Sequence, residues 1–290
     1  MSTDTNSISL VIFTCEGREH LLYHTINSFN EICNYKFSKI ILAIDGQISH
    51  SVVDHVKPDV IIQSYQRKGY VNSIIETIAH IQTPYFFWLE DDFMFNQQIQ
   101  FEYLMGVMHN HPNWAGIFLS RTAPLTMSDK KTHHFDHFYL PSFGYSVSPA
   151  LCNTKHLKAG LKALVDFPKN EKLKVYGFET FLDDYFIQHG LSYAMPDPGE
   201  TPHVIHTGKL ESTAREYHMI NSIDKNVTLI NKEYISGFGY NKKIKLKNKA
   251  GAFFKLWLAT SWLSLKLWSS REAYDFAFRI YLSYLNKFKN

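Results

Sequence analysis

Apolar and polar positions alternate between two patterns along the first third of the chain. ISLVIFT (8–14) is a short, mostly apolar run, the kind that forms a strand buried on both faces. The segment after it, EGREHLLYHTINSF, sets Leu21, Leu22, Ile26 and Phe29 at helical spacing. KIILAID (39–45), DVIIQSY (59–65) and PYFFWLE (84–90) are three further buried-strand candidates. Between the last two, VNSIIETIAHI (71–81) puts Ile74, Ile75, Ile78 and Ile81 on one helical face. Strands alternating with helices predict an α/β fold with a mostly parallel, doubly wound sheet. Ligands of such sheets bind outside the carboxyl ends of the strands. TCEGR follows the first strand, DG the second and EDD the fourth, so all three fall at that edge.

The middle is less regular. Residues 120–144 are polar and carry His and Pro, and they read as a long loop. Residues 154–166 are helical in pattern. So is GFETFLDDYFIQHG (177–190), with Phe178, Phe181, Leu182, Tyr185 and Phe186 on its apolar face and Gly190 as C-cap. PDPGETPHVIHTG (196–208) is a turn-rich loop around a short strand. The tail changes character. NKKIKLKNK (241–249) has five lysines and no acid, and AFFKLWLATSWLSLKLW (252–268) is rich in aromatics and leucine. Tyr274, Phe278, Tyr281, Leu285 and Phe288 then recur every three or four residues, as in an amphipathic helix. The expected organisation is a domain over 1–210 and a basic helical extension over 211–290.

Composition narrows the classes. With 290 residues, 45% of them hydrophobic, the chain has material for a sizeable core. A net charge of +3 gives no reason to expect nucleic acid as a partner. Cys15, Cys33 and Cys152 have no paired spacing, so a reducing, cytoplasmic compartment is expected. The start, MSTDTNSISLVIF, lacks a basic segment followed by a long apolar run, and no signal peptide is expected. No run of about 18 uncharged apolar residues predicts a transmembrane helix.

The candidate chemistry begins with YFFWLEDDF (85–93), where three adjacent carboxylates end an apolar run. Adjacent carboxylates repel, and desolvating them is costly unless they are paired or metal-bound. A hard divalent cation is one solution, since Mg²⁺ takes one or two carboxylates together with substrate phosphates. If the strand persists, Glu90 and Asp92 share a side and Asp91 points away. A solvated strand end or a helix N-cap accounts for the cluster equally well.

The order of these segments resembles the glycosyltransferase A fold, most closely the family 2 glycosyltransferases. SLVIFTCEGR (9–18) resembles their opening strand and turn, with Phe13 for the usual Pro and Cys15 for the usual Tyr. ILAIDG (41–46) is similar to the second strand, with Asp45 as its nucleotide-contacting acid. QRKGYVN (66–72) resembles the basic segment before the next helix, and TPYFFWLEDD (83–92) the strand leading into D-x-D, here E-D-D. GFETFLDDYFIQHG is similar to the helix that carries the catalytic base; Glu179 matches its Asp, Phe178 replaces the preceding acid and Tyr185 the usual Arg. HVIHTG (203–208) resembles the late histidine segment of the metal site.

The resemblance covers residues 8–210 and implies a nucleotide-diphosphate sugar as donor. It implies Mn²⁺ or Mg²⁺ held by Asp92 and His206, and Glu179 as the base that deprotonates an acceptor hydroxyl, with inversion at the anomeric carbon. Nucleotide contacts fall to Thr14, Glu16, Asp45, Arg67, Lys68, Glu90 and Asp91. Each has an ordinary structural reading as well: a turn cap for Asp45, solvated cations for Arg67 and Lys68, a first-turn helix acid for Glu179, a loop histidine for His206. Asp183, one turn along, is the rival base. HHFDHF (133–138) reads as a solvent or acceptor loop.

Lysines ahead of an aromatic amphipathic stretch fit an anionic membrane surface met by 241–290. The expected location is therefore peripheral, at the inner face of the cell membrane, with a surface polysaccharide or lipid-linked glycan as acceptor. Packing of these helices on the catalytic domain, or a dimer interface, is the competing account. Two other functions are weighed. A sugar nucleotidyltransferase needs a glycine-rich basic loop after the first strand, and TCEGREH has one Gly. A non-catalytic membrane-associated binding module would leave EDD and Glu179 dispensable.

Overall fold

The computed structural model describes residues 7–119, 133–135, 137–141, 145–167, 178–196 and 203–207. The chain divides into two compact units, Met1–Asn231 and Lys232–Asn290, and every described residue belongs to the first. The expectations for 211–290 and for membrane binding by 241–290 lie outside the described residues.

The predicted alternation is present. Strands β1 (Ile8–Cys15), β2 (Lys39–Asp45), β3 (Val60–Ser64) and β4 (Tyr85–Glu90) alternate with helices α1 (Glu19–Ile32), α2 (His50–Val56) and α3 (Tyr70–His80). β5 (Phe93–Phe95), α4 (Phe101–Asn110), β6 (Trp114–Phe118), β7 (His133–Phe135), β8 (Phe138–Leu140) and β9 (Ala150–Asn153) follow. The described chain ends with α5 (Thr154–Asp166), α6 (Phe178–Gln188), β10 (Ser192–Pro196) and β11 (Val204–His206).

The main sheet runs β3-β2-β1-β4-β9-β6-β10-β8-β7. β3, β2, β1 and β4 are mutually parallel, and β10 is parallel to β6. β9 is antiparallel to both β4 and β6, which joins the two parallel parts. The continuous apolar runs are explained by burial on both faces. Along β4, Phe87 and Leu89 enter one core cluster while Phe86 and Trp88 enter the other. Along β1, Leu10 and Ile12 alternate in the same way with Val11 and Phe13. Each such side chain contributes roughly 1.5–3 kcal/mol by leaving water.

The structure departs from the sequence reading in the middle. Part of the stretch expected to be a loop is paired: β7 and β8 form an antiparallel ladder with His133 opposite Leu140 and Phe135 opposite Phe138. The HHF segment therefore lies in a strand, while residues 120–132 are outside the described residues. A separate two-stranded sheet pairs β5 with β11, setting His206 opposite Phe93. No helix among the described residues is long and apolar enough to cross a membrane.

Candidate functional site

The carboxyl ends of β1, β2 and β4 meet at one edge because β1 lies between its two parallel neighbours. Cys15 pairs with Asp45 across one side of β1, and Phe13 with Glu90 across the other. The turn after β1 uses Gly17 at φ +87°, a left-handed conformation that suits glycine, and leads directly into Arg18 and α1.

Arg18 resolves the acid cluster. Its Nε donates to Asp91 Oδ1 at 2.8 Å, and its Nη2 lies 2.7 Å from the same oxygen. Nη2 also donates to Asp92 Oδ2 at 2.6 Å. Thr14 completes the Asp91 carboxylate by donating to Oδ2 at 2.8 Å. Asp91 and Asp92 are 4% and 6% exposed, so these are charge-assisted contacts removed from most solvent. The expectation that Asp91 points away from Asp92 required the strand to continue. Strand pairing stops at Glu90, the chain turns through Asp91 and Asp92, and one guanidinium spans both. Sequence reading passed over Arg18, although it stands in the quoted TCEGR segment.

Thr25, on α1, pins that turn. Its hydroxyl donates to the Asp91 carbonyl at 2.8 Å and accepts the Phe93 N–H at 3.1 Å. β11 holds the other side. Thr207 donates its N–H and its hydroxyl to the Asp92 carbonyl at 2.8 and 2.9 Å. The His206 ring stacks on Phe93 at 4.8 Å, and its Nε2 lies 3.0 Å from Asp92 Oδ2. Burial alone would raise the Asp92 pKa, but His206 and Arg18 outweigh it and hold the carboxyl below its ordinary value.

Glu90 is in a different state. Desolvation, and then the charges of Asp92, Glu179 and Asp91, push its pKa well above the ordinary carboxylic value. The Tyr70 hydroxyl, at the start of α3, is hydrogen-bonded to it. Tyr70 also meets Phe178 edge-on at 5.9 Å, which ties α3 to the first residue of α6. Glu179 follows on α6, 5% exposed. Its Oε1 accepts the Val147 N–H at 2.8 Å and the Ser146 hydroxyl at 3.3 Å. Asp183 faces Tyr193 of β10, whose hydroxyl burial keeps protonated, with that carboxylate as the second cause.

At the β2 end, Asp45 Oδ1 accepts the Lys68 N–H at 2.7 Å and Oδ2 the Gly69 N–H at 3.1 Å. Arg67 Nε is 3.8 Å from Oδ2, with a side chain 61% exposed. Lys68 directs its ammonium to Glu76. Glu16 Oε2 accepts the Gln47 N–H at 3.1 Å. Gly46 sits at φ +107°, where a Cβ would come within 2.7 Å of Glu16 Oε2. Burial first, and Asp91 second, push the Cys15 thiol up to about 11, so it is not a thiolate at neutral pH.

Among the described residues no group of three His, Cys, Asp or Glu side chains forms a ready metal cage. Two ligand atoms do suit a cation. Cis ligands of an octahedral ion with bonds of about 2.1 Å lie about 3.0 Å apart. Asp92 Oδ2 and His206 Nε2 have that separation, at 3.0 Å. The pair fits two positions of such an ion, the rest being left to water or phosphate oxygens.

Comparison with solved structures gives the same architecture. GalNAc-T7 with UDP, GalNAc and Mn²⁺ matches over 69% of this chain and 43% of its own, at 12% identity and a TM-score of 0.51. The fold is that of the glycosyltransferase A type. Two structures of TarS from S. aureus match over 67% of this chain, at TM-scores of 0.44. One is 13% identical with 36% of its chain covered; the other, residues 1–349 with UDP, is 14% identical with 59% covered. This glycosyltransferase A-type chain thus spans between about a third and three fifths of the length of these three structures. No family model and no curated protein matches it.

Proposed function

We propose that the chain transfers a sugar from a nucleoside-diphosphate donor to an acceptor hydroxyl, at the edge formed by β1, β2 and β4. The observation that carries this reading is the meeting of Asp92 and His206, 114 residues apart in sequence, at 3.0 Å beside the buried turn of the acid cluster. The donor's base and ribose would lie over the β1–β2 end, near Thr14, Glu16 and Asp45. Arg67, largely exposed and loosely held, is free to turn toward the diphosphate, whereas Lys68 is already paired with Glu76. Glu90 and Asp91 shape the turn that presents Asp92.

Asp92 and His206 would hold Mn²⁺ or Mg²⁺, which when bound neutralises charge on the leaving diphosphate. Glu179 would accept the proton of the acceptor hydroxyl. The Val147 N–H and the Ser146 hydroxyl on Oε1 fix that carboxylate in place. One carboxylate base and an in-line attack invert the anomeric centre; NMR of the product would show the configuration, and retention would remove this step.

A surface polysaccharide or a lipid-linked glycan is the acceptor this reading favours. Its support is the five-lysine segment followed by an aromatic stretch within 241–290, which suits an anionic inner membrane face. Liposome binding that is unchanged on deleting 241–290 would count against it.

The central test is calorimetry with UDP, GDP, ADP, CDP and dTDP, with and without Mn²⁺, on wild type and Asp92→Ala. Metal-dependent binding of one nucleotide, lost in the variant, is expected. Binding of none under any condition would overturn the reading and leave a non-catalytic binding module as the better account.

A further inference from the structure

We propose that Arg18 is a resident cation that competes with a divalent ion for Oδ2 of Asp92, so that the Asp92–His206 pair takes the ion together with a nucleoside diphosphate rather than alone. This rests on the donor-binding reading above and adds a positioning residue to it.

The two ends of the Arg18 contact are unequal. Asp91 Oδ1 takes both Nε and Nη2, at 2.8 and 2.7 Å, while Thr14 occupies the other oxygen of that carboxylate. That end is an anchor. Asp92 receives only Nη2, at 2.6 Å. The same Asp92 oxygen faces His206 Nε2 at 3.0 Å. A divalent ion bound between Asp92 and His206 would therefore meet a guanidinium on its carboxylate ligand. Two cations on one oxygen repel strongly where solvent is largely excluded.

Arg18 also cancels one of the carboxylate charges at the turn, which weakens the attraction for an ion arriving alone. A diphosphate changes the balance in two ways. It adds negative charge beside the ion, and it offers Nη2 a new acceptor when Asp92 is released. Asp91 keeps the Nε end in place through that exchange. The Arg18 side chain is 24% exposed, which leaves it room to reach an incoming ligand.

The test is binding of Mn²⁺ alone, counted from the free-ion electron paramagnetic resonance signal. Arg18→Met is expected to bind Mn²⁺ at least about tenfold more tightly than wild type. Arg18→Lys, which keeps a cation, is expected to gain less. Because Arg18→Met strands the buried Asp91 charge and threatens folding, Arg18→Met with Asp91→Asn is measured beside it; it frees Asp92 Oδ2 but leaves the net charge of the turn unchanged, so a smaller gain over wild type is expected. Adding Asp92→Asn should abolish the gain. Unchanged or weaker Mn²⁺ binding in the folded Arg18 variants would overturn the competition. If wild type nonetheless binds Mn²⁺ with one of the five nucleotides, the donor reading stands while this proposal falls. If no variant binds Mn²⁺ with any of them, both fall.

Discussion

Asp45 anchors the backbone that precedes α3: its two carboxylate oxygens accept the N–H groups of Lys68 and Gly69, at 2.7 and 3.1 Å. An asparagine there would turn its amide NH2, itself a donor, toward one of those N–H groups. Asp45→Asn is therefore expected to lose about 1–3 kcal/mol of stability. Denaturant unfolding measures this. An unchanged midpoint with unchanged slope would mean the anchor contributes nothing to the folded state.

Glu179→Gln separates chemistry from structure. The glutamine oxygen still accepts the Val147 N–H, so folding and donor binding should match wild type. Transfer should fall by about 10²–10⁴, the usual worth of a general base. A rate within a few-fold of wild type would take the base role from Glu179.

Glu90 makes stability depend on pH. Its folded pKa is raised above the ordinary 4.5, mainly by desolvation. The unfolded chain ionises first as pH rises, so the folded state loses stability from about pH 4.5 upward until the folded group ionises as well. Glu90→Gln keeps an acceptor for the Tyr70 hydroxyl and removes the ionisation. The variant should melt above wild type at pH 8, with a smaller gap at pH 4. Parallel melting curves across that range would contradict the assignment.

Gly160 sets the distance between α5 and α6. A Cβ there would come within 2.7 Å of Leu182 Cδ2 and 3.2 Å of Tyr185 Cδ1. Leu182 is fully buried, so the helix rather than the side chain must give. Gly160→Ala should cost about 1–3 kcal/mol by overpacking, against a small gain in helix propensity. Because α6 carries Glu179, the transfer rate should fall as well. A melting temperature at or above wild type would show that α6 tolerates the shift.

The parallel half of the sheet was legible because burial on both faces leaves a local mark. A strand such as Tyr85–Glu90 must be apolar at every position to feed two cores, and such runs stand out between amphipathic helices. The site edge followed, since parallel strands end together. The middle was harder to read. β9 is only four residues long, and its antiparallel place between β4 and β6 depends on partners 62 or more residues earlier and 32 or more residues earlier respectively. Short strands such as His133–Phe135 carry too few positions for periodicity to register.

By itself, the sequence determined the alternating elements, the strand edge at which the candidate site lies, and the strain of three carboxylates ending an apolar run. It called for a pairing charge or a metal ion to relieve that strain, but pointed to neither Arg18 nor Thr25. Tertiary structure decided which residues do so. Arg18 meets Asp91 across 73 residues, Thr25 meets the Asp91 carbonyl across 66, and His206 meets Asp92 across 114. Periodicity reports which faces of an element leave water, and that is a local property. Which charges become neighbours depends on strand order and register, and those are set only when the cores on both faces of the sheet close.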